Sequence, residues 1–103
     1  MRAIELSEQA TLRLHEITEY YLANESKERT LKVLDSFDKA FYHIANRPFG
    51  HRRFYSNEFI NLDIRIYLHF KIFHIYYVAS ADTVRIAEIF HLHQDGNKLK
   101  LDI

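Results

Sequence analysis

The 103-residue chain has no cysteine, only two glycines and one proline. Without cysteine it has no disulfide framework and no thiolate to act as nucleophile or metal ligand, and a cytoplasmic location is the simplest expectation. The scarcity of glycine and proline predicts short loops and a rigid domain. Charged residues interrupt every apolar run near the N-terminus, so we expect neither a signal peptide nor a membrane-spanning segment.

Hydrophobic residues make up 48% of the chain and aromatic residues 15%. Such a composition is typical of a packed globular protein, and the length predicts a single domain over residues 1–103. The 14 basic and 14 acidic side chains balance. This balance argues against the dense basic stripe of a strong nucleic-acid binder, since the densest basic run is His51, Arg52 and Arg53.

Two helices are predicted in the first half of the chain. After Ser7, apolar residues recur at helical steps at Ala10, Leu14, Ile17 and Tyr21. After Ser26, a suitable N-cap, the same spacing continues until Pro48 at Leu34, Phe37, Phe41 and Ile44. Only a few residues separate the two patterns, so we expect an antiparallel helical hairpin.

Strand patterns precede and follow these helices. A short strand is predicted over residues 2–6, and apolar or aromatic residues fill much of 72–78 and 84–92. Between them, Arg65, Tyr67 and His69 alternate with Ile64, Ile66, Leu68 and Phe70. The alternation predicts a strand with its apolar side toward the core and its polar side toward water. The predicted fold is α+β, in the order β-α-α-β-β-β, with the helical hairpin packed on a small, mainly antiparallel sheet.

Several short motifs are distributed along essentially the whole chain. They are residues 4–7 with Ala10, then Ile17 with Tyr20 and Tyr21, residues 44–48, Arg65 with residues 75–77, and finally Ile89, Phe90, His91 and Asp95. In these motifs the sequence resembles the RelE/ParE superfamily of small bacterial toxins from type II toxin-antitoxin modules. The resemblance implies the same element order as the one predicted above.

The resemblance also implies a function. ParE-type members poison DNA gyrase by a protein contact and carry out no chemistry, whereas RelE-type members cleave mRNA at the ribosome without a metal. The balanced charge and the Tyr20-Tyr21 pair favour a ParE-like toxin, or plasmid stabilisation protein. A RelE-like endonuclease and a non-toxic remnant that keeps antitoxin binding are the alternatives. All three imply a cognate antitoxin as partner.

For a RelE-like enzyme, the candidate catalytic residues are His91, His93, Arg65 and Tyr77. The two imidazoles lie on one face of a strand because they are two residues apart, and these side-chain types can transfer protons and stabilise charge at a phosphate. The alternative is that His91 only bonds a neighbouring carbonyl and His93 is only exposed.

Contacts to a phosphate or to an acidic target are expected from cationic side chains. The candidates are Arg52, Arg53, Arg65, Lys71 and Arg85. A guanidinium fork can bind either kind of group. Arg65 also matches the arginine that the family carries on this strand, whereas Arg85 is equally well explained as part of a solvated sheet edge.

The chain has more aromatic side chains than one small core readily buries. The candidates for antitoxin binding are Phe49, Phe54, Tyr55 and Tyr67, whereas we expect Phe59 and Tyr76 to be core residues. A partner helix in a groove or a strand added to the sheet edge would each serve, and exposed aromatics would also suit a homodimer.

The stretch His91, His93 and Asp95 superficially matches a metallo-hydrolase ligand box. Gly96 stands where that box has another histidine, and only seven residues follow it. Because this leaves too few ligands, we predict no metal site and no cofactor.

Overall fold

The computed structural model describes residues 1–91, which form two α-helices, five strands and one 3-10 turn. In chain order they are β1 (Ala3–Leu6), α1 (Glu8–Asn24), α2 (Lys27–Asn46), β2 (Arg53–Phe54), the 3-10 turn (Asn57–Phe59), β3 (Ile64–His69), β4 (Phe73–Ala79) and β5 (Thr83–His91). This confirms the predicted α+β class and element order. The two-residue strand β2 is an addition that the sequence did not predict.

The five strands form one sheet in the order β1-β5-β4-β3-β2. β1 is parallel to β5, and every other neighbouring pair is antiparallel. β3, β4 and β5 are therefore the predicted meander. Neither helix in the described part of the chain is long and apolar enough to cross a membrane.

Both helices begin at serine N-caps. The side chain of Ser7 accepts a hydrogen bond from the backbone N–H of Ala10, and that of Ser26 accepts one from Arg29, each at 3.0 Å. These bonds satisfy N–H groups that have no partner inside the helix. Glu25 and Ser26 alone connect the helices, which gives the predicted hairpin.

Ser7 also joins the start of α1 to the middle of β5. Its Oγ donates to the carbonyl oxygen of Ala87 at 2.6 Å, and its N–H donates to that of Ile86 at 2.9 Å. A shift in the β4–β5 register lies at this point, where Tyr76 pairs with Glu88 and Tyr77 pairs with Ile86. Such a bulge leaves a carbonyl outside the regular ladder, and Ser7 satisfies it.

The main core lies between the helical hairpin and one face of the sheet. Its buried members from α2 include Phe37, Phe41 and Ile44, and those from the sheet are Phe73, Ile75, Tyr77, Val84, Ile86 and Ile89. Alternation along β4 places Phe73, Ile75 and Tyr77 on this face, with the other β4 residues turned away. The helices therefore cover only one side of the sheet.

A second, smaller core covers the opposite face. Ile64, Ile66, Tyr76 and Phe90 are buried there beneath Phe54, Phe59, Leu62 and Val78. The face assignment predicted for β3 is confirmed for Ile64 and Ile66, which are core residues, but it was wrong for the polar side of the strand. The side that carries Arg65, Tyr67 and His69 faces the helices, and His69 is buried against Phe37, with its Nε2 3.0 Å from Oγ of Ser36. Leu68 and Phe70, predicted to be core residues, are 51% and 59% exposed.

The turn between β3 and β4 has an unusual backbone. Phe70 and Lys71 have φ angles of 53° and 61°. These lie in the left-handed region, which residues other than glycine rarely adopt. The ring of Phe70 stacks on His69 with 4.1 Å between the ring centroids. The turn therefore projects an aromatic side chain from the end of the hairpin.

Candidate functional site

Arg65 is the centre of a cluster at one end of the sheet. Its Nε and Nη2 donate to the two carboxylate oxygens of Asp63 at 2.9 and 3.1 Å. Its Nη1 donates to the carbonyl oxygens of His51 at 2.9 Å and Phe49 at 3.3 Å. A single planar guanidinium therefore fixes both the start of β3 and the segment that follows α2.

Two further arginines extend this cluster. The Nε of Arg53 lies 3.0 Å from the Asp63 carboxylate, and its guanidinium lies 5.1 Å from the ring centroid of Tyr55. The Phe49 ring has the guanidinium groups of Arg2 and Arg65 at 5.4 and 5.6 Å from its centroid. These are cation–π distances. We call Arg2, Phe49, Arg53, Tyr55, Asp63 and Arg65 the arginine-aromatic site.

The arginine-aromatic site carries three fixed positive charges and one carboxylate. The rings of Phe49 and Tyr55 are 54% and 76% exposed beside these charges. Arginine and aromatic side chains are the types that contribute most binding energy at protein interfaces. The site can therefore bind an acidic protein surface. Arg65 itself already uses four of its five N–H donors on Asp63, Phe49 and His51.

Tyr77, a predicted catalytic residue, is fully buried beneath this site. Its hydroxyl donates to the carbonyl oxygen of Pro48 at 2.6 Å. Burial raises the pKa of Tyr77 to about 12, with Arg65 lowering it and Asp63 raising it to smaller extents. In this structure Tyr77 holds the end of α2 against the sheet and offers no hydroxyl to a substrate.

The structure brings together two of the predicted catalytic residues. Arg65 pairs with Tyr77 across β3 and β4, whereas His91 pairs with Phe73 at the other end of β4. Four residues along a strand correspond to about 13 Å, so His91 lies about that far along the sheet from the Arg65–Tyr77 pair. His93 and Asp95 lie outside the described residues, and within residues 1–91 no group of three or more His, Cys, Asp or Glu side chains is placed to hold a metal ion.

The cationic residues predicted to contact the target lie in separate parts of the molecule. Arg53 and Arg65 belong to the arginine-aromatic site. Arg52 is next to Arg53 in the chain, but its charge acts on His74, which lies on the face of the sheet away from the helices. Lys71 lies in the turn at the opposite end of β3, and Arg85 lies on β5 with its Nη1 3.8 Å from the Glu5 carboxylate. Of the five predicted contacts, the structure therefore clusters Arg53 and Arg65.

The aromatic residues predicted to bind the antitoxin also lie in different environments. Phe49 and Tyr55 are exposed, but Phe54 packs edge-on against Tyr76, with 5.3 Å between ring centroids, and belongs to the second core. Tyr67 is half-buried on the helix side of β3. Phe59 and Tyr76 pack in the second core, as predicted from the sequence.

The structure shows a cluster of histidines that the sequence reasoning missed. The ring centroid of His51 lies 5.3 Å from that of His43 and 5.0 Å from that of Tyr67. The Nε2 atom of His51 is buried without a hydrogen-bond partner. Burial lowers the pKa of His51, and the neighbouring His43 and Arg65 lower it further. The sequence does carry a signal for this cluster, because between Asp38 and Glu58 there is no acidic residue that could pair with His43 or His51.

A groove lies at the other end of the molecule, between α1 and the ends of β4 and β5. It encloses about 480 Å³ and is lined mainly by apolar and aromatic side chains, Ile17, Tyr20, Tyr21, Ile72, Phe73 and Ile89, together with Arg13, Glu16 and His91. We call it the α1 groove. Arg13 of this lining is held by an ion pair that is partly buried, in which its Nε donates to the Glu88 carboxylate at 3.1 Å. This hydrogen bond raises the pKa of Arg13.

The structure is similar to a solved chain described as "Chromosomal ParDE TA system from P. aeruginosa". The match has a TM-score of 0.71 and 14% sequence identity, and it covers 90% of this chain and 98% of that one. No family model and no curated protein sequence matches the chain. At this identity the likeness shows a shared fold, and it confirms the two-helix, mainly antiparallel architecture predicted from the sequence.

Proposed function

We propose that the protein is the toxin of a type II toxin-antitoxin module, that it arrests growth in a ParE-like manner by inhibiting DNA gyrase, and that a cognate antitoxin neutralises it. The observation that carries the proposal is the fold shared over 90% of the chain with a chain of a ParDE system. Among residues 1–91, His91 lies about 13 Å along β4 from the paired Arg65 and Tyr77, and this separation supports a toxin that acts by binding.

The arginine-aromatic site is the surface we assign to the target, so Phe49 and Tyr55, which the sequence predicts to bind the antitoxin, are assigned to the target instead. Its two exposed rings stand beside guanidinium groups that Asp63 and backbone carbonyls already hold in place. A rigid cationic surface loses little side-chain freedom when it binds, which favours affinity. Its charge suits an acidic region of a protein partner.

The α1 groove is the surface we assign to the antitoxin. Its lining is apolar along Ile17, Ile72 and Phe73, with Arg13 and Glu16 at its rim. An amphipathic helix that buries its apolar face would fill such a groove. The groove and the arginine-aromatic site lie at opposite ends of β4, so one variant can be made at each surface without touching the other.

The mRNA endonuclease remains as the second hypothesis, and it finds less support. It would require His91 to work with groups about 13 Å away along the sheet or a different set of residues. A non-toxic remnant would keep the α1 groove and lose only the activity against the target.

The test is a supercoiling assay with purified gyrase and relaxed plasmid. The wild-type chain and a Tyr20→Ala variant, altered at the α1 groove, should both inhibit supercoiling. A Phe49→Ala variant, altered at the arginine-aromatic site, should inhibit at least about tenfold less, as expected for an exposed aromatic anchor. Cleavage of ribosome-bound mRNA by the wild-type chain, with gyrase unaffected, would overturn the proposal.

A further inference from the structure

Two histidines and a tyrosine meet between the end of α2 and the helix side of β3. The ring centroid of His43 lies 5.3 Å from that of His51 and 5.6 Å from that of Tyr67, and the last two are 5.0 Å apart. We call these three residues the histidine–tyrosine cluster. Within residues 1–91, neither imidazole of the cluster nor the Tyr67 hydroxyl has a hydrogen-bond or ion-pair partner. Three polar groups therefore converge without satisfying one another.

The Nε2 atom of His51 is the group in this cluster that most needs a partner. It is buried, and buried polar atoms in proteins are normally hydrogen-bonded. The neighbouring His43 side chain is exposed near the end of α2, so it can change rotamer without disturbing the core. A turn of His43 would open a way for a ligand atom between the two rings.

A pocket of about 310 Å³ opens beside the cluster. It is lined by His43 and Tyr67 together with Ser36, Lys39, Ala40, His69 and Phe70. No carboxylate is among these lining residues, and Lys39 brings a fixed positive charge. The pocket therefore has room for a single side chain and offers it cationic and neutral surroundings.

The charges near the cluster leave it without a counter-ion. Arg65 lies close enough to lower the pKa of His51, and it also holds Asp63 together with Arg53. The other nearby carboxylate, Asp35, lies 3.0 Å from Lys39 on the exposed side of α2. Both carboxylates are thus paired with cations, and in the described part of the chain neither imidazole has a carboxylate within ion-pair distance.

Two further titratable groups reach this region from the sheet, and both already have partners. His69 of β3 lies with its Nε2 3.0 Å from Oγ of Ser36. The ring centroid of Tyr77, from β4, lies 6.4 Å from that of His51, and the Tyr77 hydroxyl donates to the Pro48 carbonyl oxygen. Neither group is therefore available to satisfy the cluster.

We propose that the histidine–tyrosine cluster binds the carboxylate of an aspartate or glutamate side chain from an acidic segment of a protein partner. The carboxylate accepts hydrogen bonds from Nε2 of His51 and from the imidazole of His43, which turns outward to admit it. Ala40 and Phe70 contact the methylene groups of the bound side chain. This inference is independent of the proposed function, because it depends only on the cluster and its pocket.

A carboxylate fits this pocket better than a phosphate does. Ala40, Phe70 and the Tyr67 ring give the pocket apolar walls, which suit the carbon stem of an acidic side chain. A phosphate has no such stem, and it would meet one fixed cation in the lining, Lys39. The balanced charge of the whole chain also argues against a nucleic acid as the source of the anion.

Binding of a carboxylate should take up a proton. Burial lowers the pKa of His51, and His43 and Arg65 lower it further, so the ring is neutral at pH 7 in the free protein. A carboxylate placed beside it favours the charged imidazole. By linkage, an acidic ligand should bind more tightly as the pH falls from about 8 to about 6, where glutamate, with an ordinary pKa of about 4.3, is still ionised.

The cluster can be tested with an acidic peptide. The probe is a peptide of six glutamates with acetylated and amidated ends, and the control peptide has glutamines instead. Each is titrated into the isotope-labelled chain, and NMR signals report binding at each residue. The acidic peptide should shift the signals of His43, His51 and Tyr67, and it should bind at least about fivefold more tightly at pH 6 than at pH 8. Signals of Tyr55 report separately on the arginine-aromatic site.

His43 is exposed, so it can be changed without unfolding the chain. His43→Gln should bind the acidic peptide at the cluster at least about fivefold more weakly, and it should lose most of the dependence on pH. His15→Gln, at an exposed histidine of α1 that pairs with Glu19, is the control and should match the wild type. Both variants should keep the wild-type melting temperature.

Three results would overturn the proposal. The first is an unchanged affinity of the folded His43→Gln chain for the acidic peptide. The second is a wild-type chain whose His51 signals do not respond to that peptide at either pH. The third is inorganic phosphate that shifts the cluster signals at a lower concentration than the peptide does, because the site would then be one for phosphate.

Discussion

Arg65 and Asp63, two residues apart at the start of β3, face each other with two parallel hydrogen bonds of 2.9 and 3.1 Å. The same guanidinium binds the carbonyl oxygens of Phe49 and His51. Asp63 is thus the anion that holds two arginines of the arginine-aromatic site, Arg53 and Arg65, in a single arrangement. The site depends on this pair, although neither residue is fully buried.

Replacing the carboxylate of Asp63 should loosen the site. We expect Asp63→Asn to lower the free energy of unfolding by about 1–2 kcal/mol, because it removes charge-assisted bonds to Arg53 and Arg65. Asp35→Asn, which breaks an exposed pair with Lys39, is the control and should cost about 0.5 kcal/mol or less. Urea denaturation measures both. Equal losses would show that Asp63 does not organise the site.

Ser7 both caps α1 and donates to the Ala87 carbonyl oxygen, and a comparison with the Ser26 cap of α2 separates these two contributions. Ser7→Ala and Ser26→Ala should each lose about 1 kcal/mol of stability from the cap. Ser7→Ala should lose about 1 kcal/mol more, because the Ala87 carbonyl at the bulge then lacks its donor. Thermal and urea unfolding of the two variants give the difference directly. A difference near zero would mean that water or another group satisfies Ala87.

Tyr77→Phe distinguishes packing from chemistry at the buried tyrosine. The variant should lose about 1–2 kcal/mol, since the Pro48 carbonyl oxygen loses its hydrogen bond, yet keep its effect on growth at a permissive temperature. Tyr42→Phe, at an exposed tyrosine of α2, is the control and should change neither property. Loss of toxicity in a stably folded Tyr77→Phe chain would restore Tyr77 as a reacting group.

Three histidines make the stability depend on pH. The pKa values of His51, His69 and His74 are lowered from the ordinary 6.5, mainly because these side chains are partly or fully buried. For a histidine whose pKa is lower in the folded state, the unfolded chain binds more protons below 6.5. Stability should therefore be full above pH 6.5 and fall as the pH drops toward the folded pKa values. A His69→Gln chain should show a shallower loss between pH 7 and 5 in urea titrations, and an unchanged slope would contradict this account.

The order of elements could be predicted from the sequence because it follows from periodicity and caps. The helical spacing after Ser7 and Ser26 and the alternation from Ile64 onward each specify an element locally. The side of β3 that faces the helices could not be predicted. Alternation shows that two faces differ, but the burial of His69 depends on Ser36 and Phe37, which reach it from α2.

The candidate site could be predicted only in part. Arg52, Arg53 and Phe49 are close in sequence, so their proximity to one another was foreseeable. The contact of Arg2 with Phe49, and that of His43 with His51, depend on how β1 and α2 pack against the segment that follows α2. The two-residue strand β2 has too short a pattern to be recognised. Such long-range placements have no local signal.

The proposed arrest of growth through DNA gyrase can be tested by pulse labelling of DNA and protein synthesis. The chain would be induced in bacteria without an antitoxin, and the two rates would be followed over the first minutes. The account predicts that DNA synthesis falls first, with a DNA-damage response, and that Phe49→Ala weakens both effects. A fall of translation before DNA synthesis, or growth that continues unchanged, would contradict it.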